Sequence, residues 1–332
     1  MRPQVVIFAP AHLRESVFPK PVVEEIAKFG EILGEPIDPE SWPAAADRLA
    51  HADVIVGTWG MPTLDQAFLD ATPRLRAVLY AAGSVKGFVT PETWQRGVVV
   101  SSAWGANGIP VSEYTLGTIL LSLKRFWHFS RAMRTPDGIG PGDLTIPGAY
   151  RSKVGLVSMG VIGRAVARLL QAFEIDVLAY DPYLPHEQAE EAGVQPVTLE
   201  KLFTECDVVS IHTPWIPRTQ GMIGRKLIAL MKPGATLINT SRGAIIVEAE
   251  LCDVLGQRPD LSAILDVTFP EPPAPDSPLR TLPNVVLTPH VAGSMQQECA
   301  RMGMWMAAEL ERLARGARLR HEVTREMLTR MA

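Results

Sequence analysis

The short apolar run Lys153-Val154-Gly155-Leu156-Val157 breaks into Ser158-Met159-Gly160-Val161-Ile162-Gly163 and then into helix-forming sequence. A strand that ends in closely spaced glycines before a helix has few ways to fold. It brings backbone N–H groups of the helix N-terminus to a point where a pyrophosphate can approach and the helix dipole favours negative charge. Gly160 and Gly163 fill the last two positions of the pattern G-x-G-x-x-G, and Ser158 stands at the first. A serine is expected to make this turn only with a negative φ, which would displace the turn slightly. Residues 164–173 then carry apolar side chains at helical spacing, residues 176–180 read as a strand, and Asp181 follows. An acidic residue at that remove suits the ribose hydroxyls of NAD and would repel the extra phosphate of NADP. The same spacing also fits a plain strand, turn and helix in which Asp181 caps the turn before Pro182.

Composition narrows the class. With 332 residues, 47% hydrophobic, 20% charged and a formal net charge of -4, the chain has room for two domains with cores and no basic excess that would suit nucleic acid. The apolar stretch 5–9 is too short for a signal peptide, and no later run approaches a membrane span, so a cytoplasmic protein is expected. Cys206, Cys252 and Cys299 lie far apart without paired spacing, which argues against a disulfide framework and against a bound metal.

The first hundred residues alternate strand-like segments (5–9, 54–56, 77–80, 98–101) with helix-like ones (22–29, 64–71, 92–96), as an α/β layer structure requires. An unbroken helical pattern over 112–133 is long enough to bridge domains or subunits, and residues 135–143 break all regular structure. Beyond Asp181, strands at 208–211, 235–239, 263–265 and 285–287 alternate with helical segments at 199–205, 225–230 and 248–255, which predicts a second doubly wound parallel sheet. The proline-rich stretch 270–283 reads as a surface loop. The last helical segment, 296–316, needs a partner for Met302, Trp305, Met306, Leu310 and Leu313, and it is expected to return to the first domain. The expected organisation is therefore a discontinuous domain of residues 1–105 and 294–332, a second of residues 106–293, and a cleft between two sheets.

In open parallel sheets, ligands lie beyond the carboxyl ends of the strands. The residues there are His212-Thr213-Pro214, Thr240-Ser241-Arg242-Gly243, Asp266 with Glu271 just beyond, and His290. A histidine moves a hydroxyl proton near neutral pH, a carboxylate beside it fixes its tautomer, and an arginine grips a carboxylate while polarising the adjacent carbonyl. That set suits the interconversion of an alcohol and a carbonyl, with hydride from a nicotinamide.

Six ordered blocks then resemble the D-isomer-specific 2-hydroxyacid dehydrogenase family, of the phosphoglycerate, glyoxylate and hydroxypyruvate type. They are Gly155 to Arg164, Ile211-His212-Thr213-Pro214, Met231-Lys232-Pro233-Gly234-Ala235, Asn239-Thr240-Ser241-Arg242-Gly243, Asp266-Val267 with Glu271-Pro272, and Thr288-Pro289-His290-Val291-Ala292-Gly293. The interdomain helix of that family also resembles residues 98–134. The resemblance implies two doubly wound domains, one Rossmann-type for NAD and one flavodoxin-like for substrate. It makes His290 the acid/base, Glu271 its partner, Arg242 the substrate clamp, Asp181 the ribose ligand and Asp266 an acceptor for the nicotinamide carboxamide. It implies a dinucleotide lined by Ser158, Met159, Gly160, Val161, Ile162, His212, Thr213, Pro214, Thr240, Ser241 and Gly293, with Arg242 and His290 beside it. The substrate carboxylate falls to a loop at Gly83, Ser84 and Val85. A homodimer acting on a small 2-keto or 2-hydroxy acid is the implied assembly, without nucleic acid or membrane.

Some readings stay open. Lys86 either favours a dianionic substrate or is a solvated surface lysine, and Trp59 either walls a substrate pocket or packs. His212 is either a neighbour of the cofactor or a satisfied polar residue. A dinucleotide-sensing, co-repressor-like binding module on the same scaffold is the rival to an enzyme.

Overall fold

The computed structural model describes residues 2–134, 136, 138–139 and 145–331, so the break expected at 135–143 lies largely outside the described residues. The chain divides into two units, Met1–Gly108 with Ser294–Ala332, and Ile109–Gly293.

In the first unit, β1 (Gln4–Phe8), β2 (Glu31–Ile32), β3 (Val54–Gly57), β4 (Ala77–Tyr80) and β5 (Val99–Ser102) form a parallel sheet in the order β2-β1-β3-β4-β5, and a short C-terminal strand, Glu322–Val323, adds antiparallel to β5. Val5, Val6, Ile7 and Phe8 are all buried because both faces of the sheet are covered, which is why the strand reads as a continuous apolar run. The helix Cys299–Ala314 packs in this unit on the helix Lys20–Phe29, with Met302, Met306 and Leu310 fully buried. Its Glu309 is buried and accepts from Ser101 Oγ and from the backbone N–H groups of Arg320 and His321, which ties the C-terminal strand to β5.

The single helix expected over 112–133 is two helices, Trp104–Leu123 and Phe126–Ala132. Lys124 and Arg125 close the first with bonds three residues back, to Leu121 O and Ser122 O, and Arg125 takes the left-handed conformation (φ 50). Gly148 N then takes the Leu123 carbonyl that a continuing helix would have used. Periodicity continued across the break, so the sequence pattern did not mark it.

The second unit contains β6 (Lys153–Val157), β7 (Asp176–Tyr180), β8 (Gln195–Pro196), β9 (Val208–Ile211), β10 (Thr236–Asn239), β11 (Ser262–Leu265) and β12 (Val285–Leu287), all parallel, in the order β12-β11-β10-β9-β6-β7-β8. Apolar clusters fill both faces, one around Phe203, Leu237 and Leu265 and the other around Leu156, Val166 and Ile238. Burying a side chain such as Phe203 or Leu156 contributes about 2–3 kcal/mol. The strand order reverses between β6 and β9, the place where ligands bind in such sheets. Three edge strands of two residues each, β2, β8 and the C-terminal one, were too short to show in the sequence pattern.

Candidate active site

Strand register decides what meets at the ligand edge of the second unit. Tyr180 pairs with Val157, Val157 with Ile211, Ile211 with Asn239, Asn239 with Leu265, and Leu265 with Leu287. These six residues form one row across the sheet. The residues next along each strand, Asp181, Ser158, His212, Thr240, Asp266 and Thr288, therefore form the next row, at the carboxyl edge.

The glycine turn comes first. Gly160 caps the helix Val161–Leu170, and a Cβ on Gly160 would meet nothing within 4 Å, so the turn is open on that side. A Cβ on Gly163 would stand 2.3 Å from Ser158 O, so only glycine lets the helix pack this closely on the turn. Ser158 departs from expectation: its φ is 78, in the left-handed region, and the turn is made with the side chain in place. The conformation is held from both sides. Ser158 N donates to Tyr180 O at 2.7 Å, and Ser158 Oγ lies 2.9 Å from Thr213 Oγ1. Asp181 accepts from Met159 N through Oδ2 and from Tyr183 N through Oδ1, each at 2.8 Å, so this carboxylate both fixes the glycine turn and caps its own. Each oxygen keeps a second lone pair for a ribose hydroxyl.

His212 is only 8% exposed, and neither ring nitrogen has a hydrogen-bond partner among the described residues. Burial pushes its pKa down to about 4, so the ring is neutral at pH 7. The open reading of His212 as a satisfied polar residue is thus corrected: the fold buries the ring without giving it a partner. An open glycine turn, a carboxylate with free lone pairs and an orphaned buried imidazole beside Thr213 are what a dinucleotide requires. The residues present fit that group.

At the other end of the row, the His290 Nδ1 lies 2.6 Å from Glu271 Oε1, and both side chains are partly exposed. Burial lowers the pKa of the Arg242 guanidinium while the charge of Glu271, the carboxylate that meets His290, raises it. Gly243 brings Arg242 there, since a Cβ on Gly243 would stand 2.0 Å from the Thr268 carbonyl carbon. His290 has a φ of 55, a backbone strain held by its surroundings. Asp266, 2% exposed, supplies them: Oδ1 accepts from Val291 N and Thr288 Oγ1, Oδ2 accepts from Ala292 N, and its carbonyl accepts from His290 N. Asp266 Oδ1 thus holds the turn that carries His290 with two bonds, while Oδ2, with one bond, keeps a second lone pair.

Asn239 was not singled out from sequence, although it had a signal. Its Oδ1 accepts from Ser241 N, the i to i+2 pattern of an Asx turn, and its Nδ2 donates to Arg242 O, so it shapes the loop that presents Arg242. Tyr114 OH, 3.0 Å from Thr288 Oγ1, supports the same edge from the helix Trp104–Leu123, and Thr115 Oγ1 meets Thr240 Oγ1 at 3.2 Å. No local pattern marks those partners. Pro214, Ser241 and Gly293 lie on the same loops.

In the first unit, Gly83, Ser84 and Val85 follow β4, and the Ser102 hydroxyl donates to Ala82 O at 2.9 Å to hold the start of that loop. Lys86 is exposed, and Trp59 is half-buried against the apolar clusters of that unit. Among the described residues, no group of His, Cys, Asp or Glu is placed to hold a metal, and no helix is long and apolar enough to cross a membrane.

A sequence model described as the NAD binding domain of D-isomer specific 2-hydroxyacid dehydrogenases matches residues 116–292, more than half of the chain. The chain belongs to the D-isomer-specific 2-hydroxyacid dehydrogenase family. NAD is accordingly the cofactor of this second unit. The chain is similar to a D-3-phosphoglycerate dehydrogenase of Archaeoglobus fulgidus, 33% identical over 78% of this chain and 49% of that protein. It is also similar to a glyoxylate reductase of Korarchaeum cryptofilum, 32% identical over 84% of each. The chain spans about half the length of the phosphoglycerate dehydrogenases it matches first. The NAD-complexed D-isomer specific 2-hydroxyacid dehydrogenase of Lactobacillus delbrueckii ssp. bulgaricus shares the fold, with a TM-score of 0.82 over 97% of this chain and 100% of that one at 23% identity. The two doubly wound sheets are the α/β fold that the sequence alternation predicted.

Proposed function

We propose that the protein interconverts a 2-keto acid and the corresponding D-2-hydroxy acid, with its first unit as the substrate-binding unit. One observation carries the reading: the His290–Glu271 pair at 2.6 Å, with Arg242 electrostatically coupled to the same carboxylate. With Nδ1–H donated to Glu271, the proton that moves is the one on Nε2. In reduction Nε2–H gives it to the carbonyl oxygen, and in oxidation Nε2 takes it from the hydroxyl. Arg242 offers two parallel N–H groups to the substrate carboxylate and polarises the keto oxygen. Asp266 acts through the turn that holds His290. Ser158 to Ile162, Asp181, His212 to Pro214, Thr240, Ser241 and Gly293 hold the dinucleotide, which supplies or accepts the hydride when bound.

The test is NADH oxidation with glyoxylate, hydroxypyruvate, phosphohydroxypyruvate, pyruvate and bulkier keto acids. His290→Gln is expected to lower kcat by about 10²–10⁴-fold, the range for a lost general acid, while NADH still binds. No turnover with any of these acids, or a His290→Gln protein as active as the parent, sinks the proposal.

The finer expectations of a homodimer and a cytoplasmic location join this reading. Leu121, Phe126 and Met133, on or just beyond the helices Trp104–Leu123 and Phe126–Ala132, expose large apolar side chains that a second copy would cover. Three buried free thiols suit a reducing compartment. Light scattering that finds a monomer removes the dimer.

A further inference from the structure

Two residues beyond Asp181, Tyr183 stands 60% exposed. The Arg218 guanidinium lies 4.8 Å from its ring centroid and donates to the phenol oxygen. Tyr183 follows β7 and Arg218 follows β9, and β6 with its glycine turn lies between those strands. The contact thus spans the end of β6, where the adenosine half of a dinucleotide passes.

Both partners are held at the backbone. Tyr183 N donates to Asp181 Oδ1 at 2.8 Å. On the other loop, Thr219 N and Gln220 N donate to Ile216 O, and Ile216 N donates to Thr219 Oγ1 at 3.0 Å. The Thr219 hydroxyl in turn donates to Pro214 O at 2.6 Å, and Ile216 is buried as the anchor. A closed turn therefore presents the exposed Arg218 toward the residue that Asp181 caps. Arg218 and Asp181 form no ion pair among the described residues; the guanidinium lies on the ring of Tyr183, two residues beyond the carboxylate.

We propose that Arg218 is the counter-charge for a 2′-phosphate on the adenosine ribose, so that the choice between NAD and NADP is set by Asp181 and Arg218 together. The inference rests on reading the glycine turn as the dinucleotide site. Asp181 alone repels a 2′-phosphate. A guanidinium has five N–H donors, and its contact with an exposed ring exchanges readily for charge-assisted bonds to phosphate. With NAD, Arg218 stays on Tyr183. With NADP it turns to the phosphate and offsets part of the repulsion, so NADP is disfavoured but not excluded.

Calorimetric titration of the full chain with adenosine 5′-monophosphate and adenosine 2′,5′-bisphosphate reads this directly, without turnover. Arg218→Gln is expected to weaken the bisphosphate about tenfold, one lost charge-assisted contact, and leave the monophosphate within about twofold. Asp181→Asn is expected to tighten the bisphosphate, and less so when combined with Arg218→Gln, because the two charges act on one group. Tyr183→Leu, which removes the resting partner of Arg218, should leave bisphosphate binding intact or tighter. If Arg218→Gln weakens both nucleotides equally, or neither, or if Tyr183→Leu abolishes the preference, the role is a structural strap and the inference falls. If the parent protein binds neither nucleotide nor NADH, the dinucleotide reading itself falls.

Discussion

Ser158 offers a measurement in which two opposing effects are of known sign. A non-glycine residue at φ 78 costs about 1–2 kcal/mol through the approach of Cβ to the backbone. Against this, the 2.9 Å contact between Ser158 Oγ and Thr213 Oγ1 contributes about 1 kcal/mol net. Ser158→Ala keeps the strain and loses the bond, so it should destabilise by about 1 kcal/mol. Ser158→Gly loses the same bond and gains about 0.4–1 kcal/mol of unfolded-state freedom, but it also sheds the strain. The glycine protein should therefore lie within about 0.5 kcal/mol of the parent and about 1 kcal/mol above the alanine protein. Urea unfolding followed by circular dichroism, compared transition by transition because the chain has two units, gives these differences. A glycine protein as unstable as the alanine protein would show that the left-handed turn is unstrained, and the reasoning would be wrong.

The buried His212 makes stability depend on pH. Its folded pKa is about 4 against an ordinary 6.5, so the unfolded chain binds more protons between those values. Its contribution is complete above pH 6.5 and is lost as pH falls toward 4, at about 1.4 kcal/mol per unit. His212→Gln should flatten that slope in urea titrations at pH 7.5, 6 and 5, and an unchanged slope refutes the assignment. Gly163→Ala places a Cβ 2.3 Å from Ser158 O, so the turn must shift and NADH affinity measured by fluorescence should fall at least tenfold; unaltered binding would show that the turn is not the site. Asp266→Asn leaves a buried N–H without its acceptor, at a cost of about 1–3 kcal/mol, and loosens the His290 turn. It should lower kcat while NADH affinity stays within a few-fold. A fall in NADH affinity with kcat preserved would instead favour the carboxamide contact that the family resemblance implied.

Much of the fold was legible because its signals are local. Apolar strands separated by helical spacing can pair only in parallel through crossovers, and a parallel sheet puts every strand end on one edge. Arg242, Glu271 and His290 could be gathered from sequence on that ground alone, although they lie as far as 48 residues apart in numbering. Asn239 was legible too, through its Asx turn, and was passed over. The break at Arg125 was not, because the helical pattern ran through it and the group that takes the Leu123 carbonyl sits at Gly148.

By itself, then, the sequence determined the layers, the edge on which the strands end and the residue types gathered there, since hydrophobic period and glycine placement act over a few residues. Only the tertiary structure decided which partners those residues keep. The left-handed Ser158 depends on Thr213, the His290 turn on Asp266, and the post of Arg218 on Tyr183. Each is a contact between segments whose register is set by strand pairing, such as Val157 with Ile211. A local pattern carries no record of that register, because it is fixed by packing across the whole sheet.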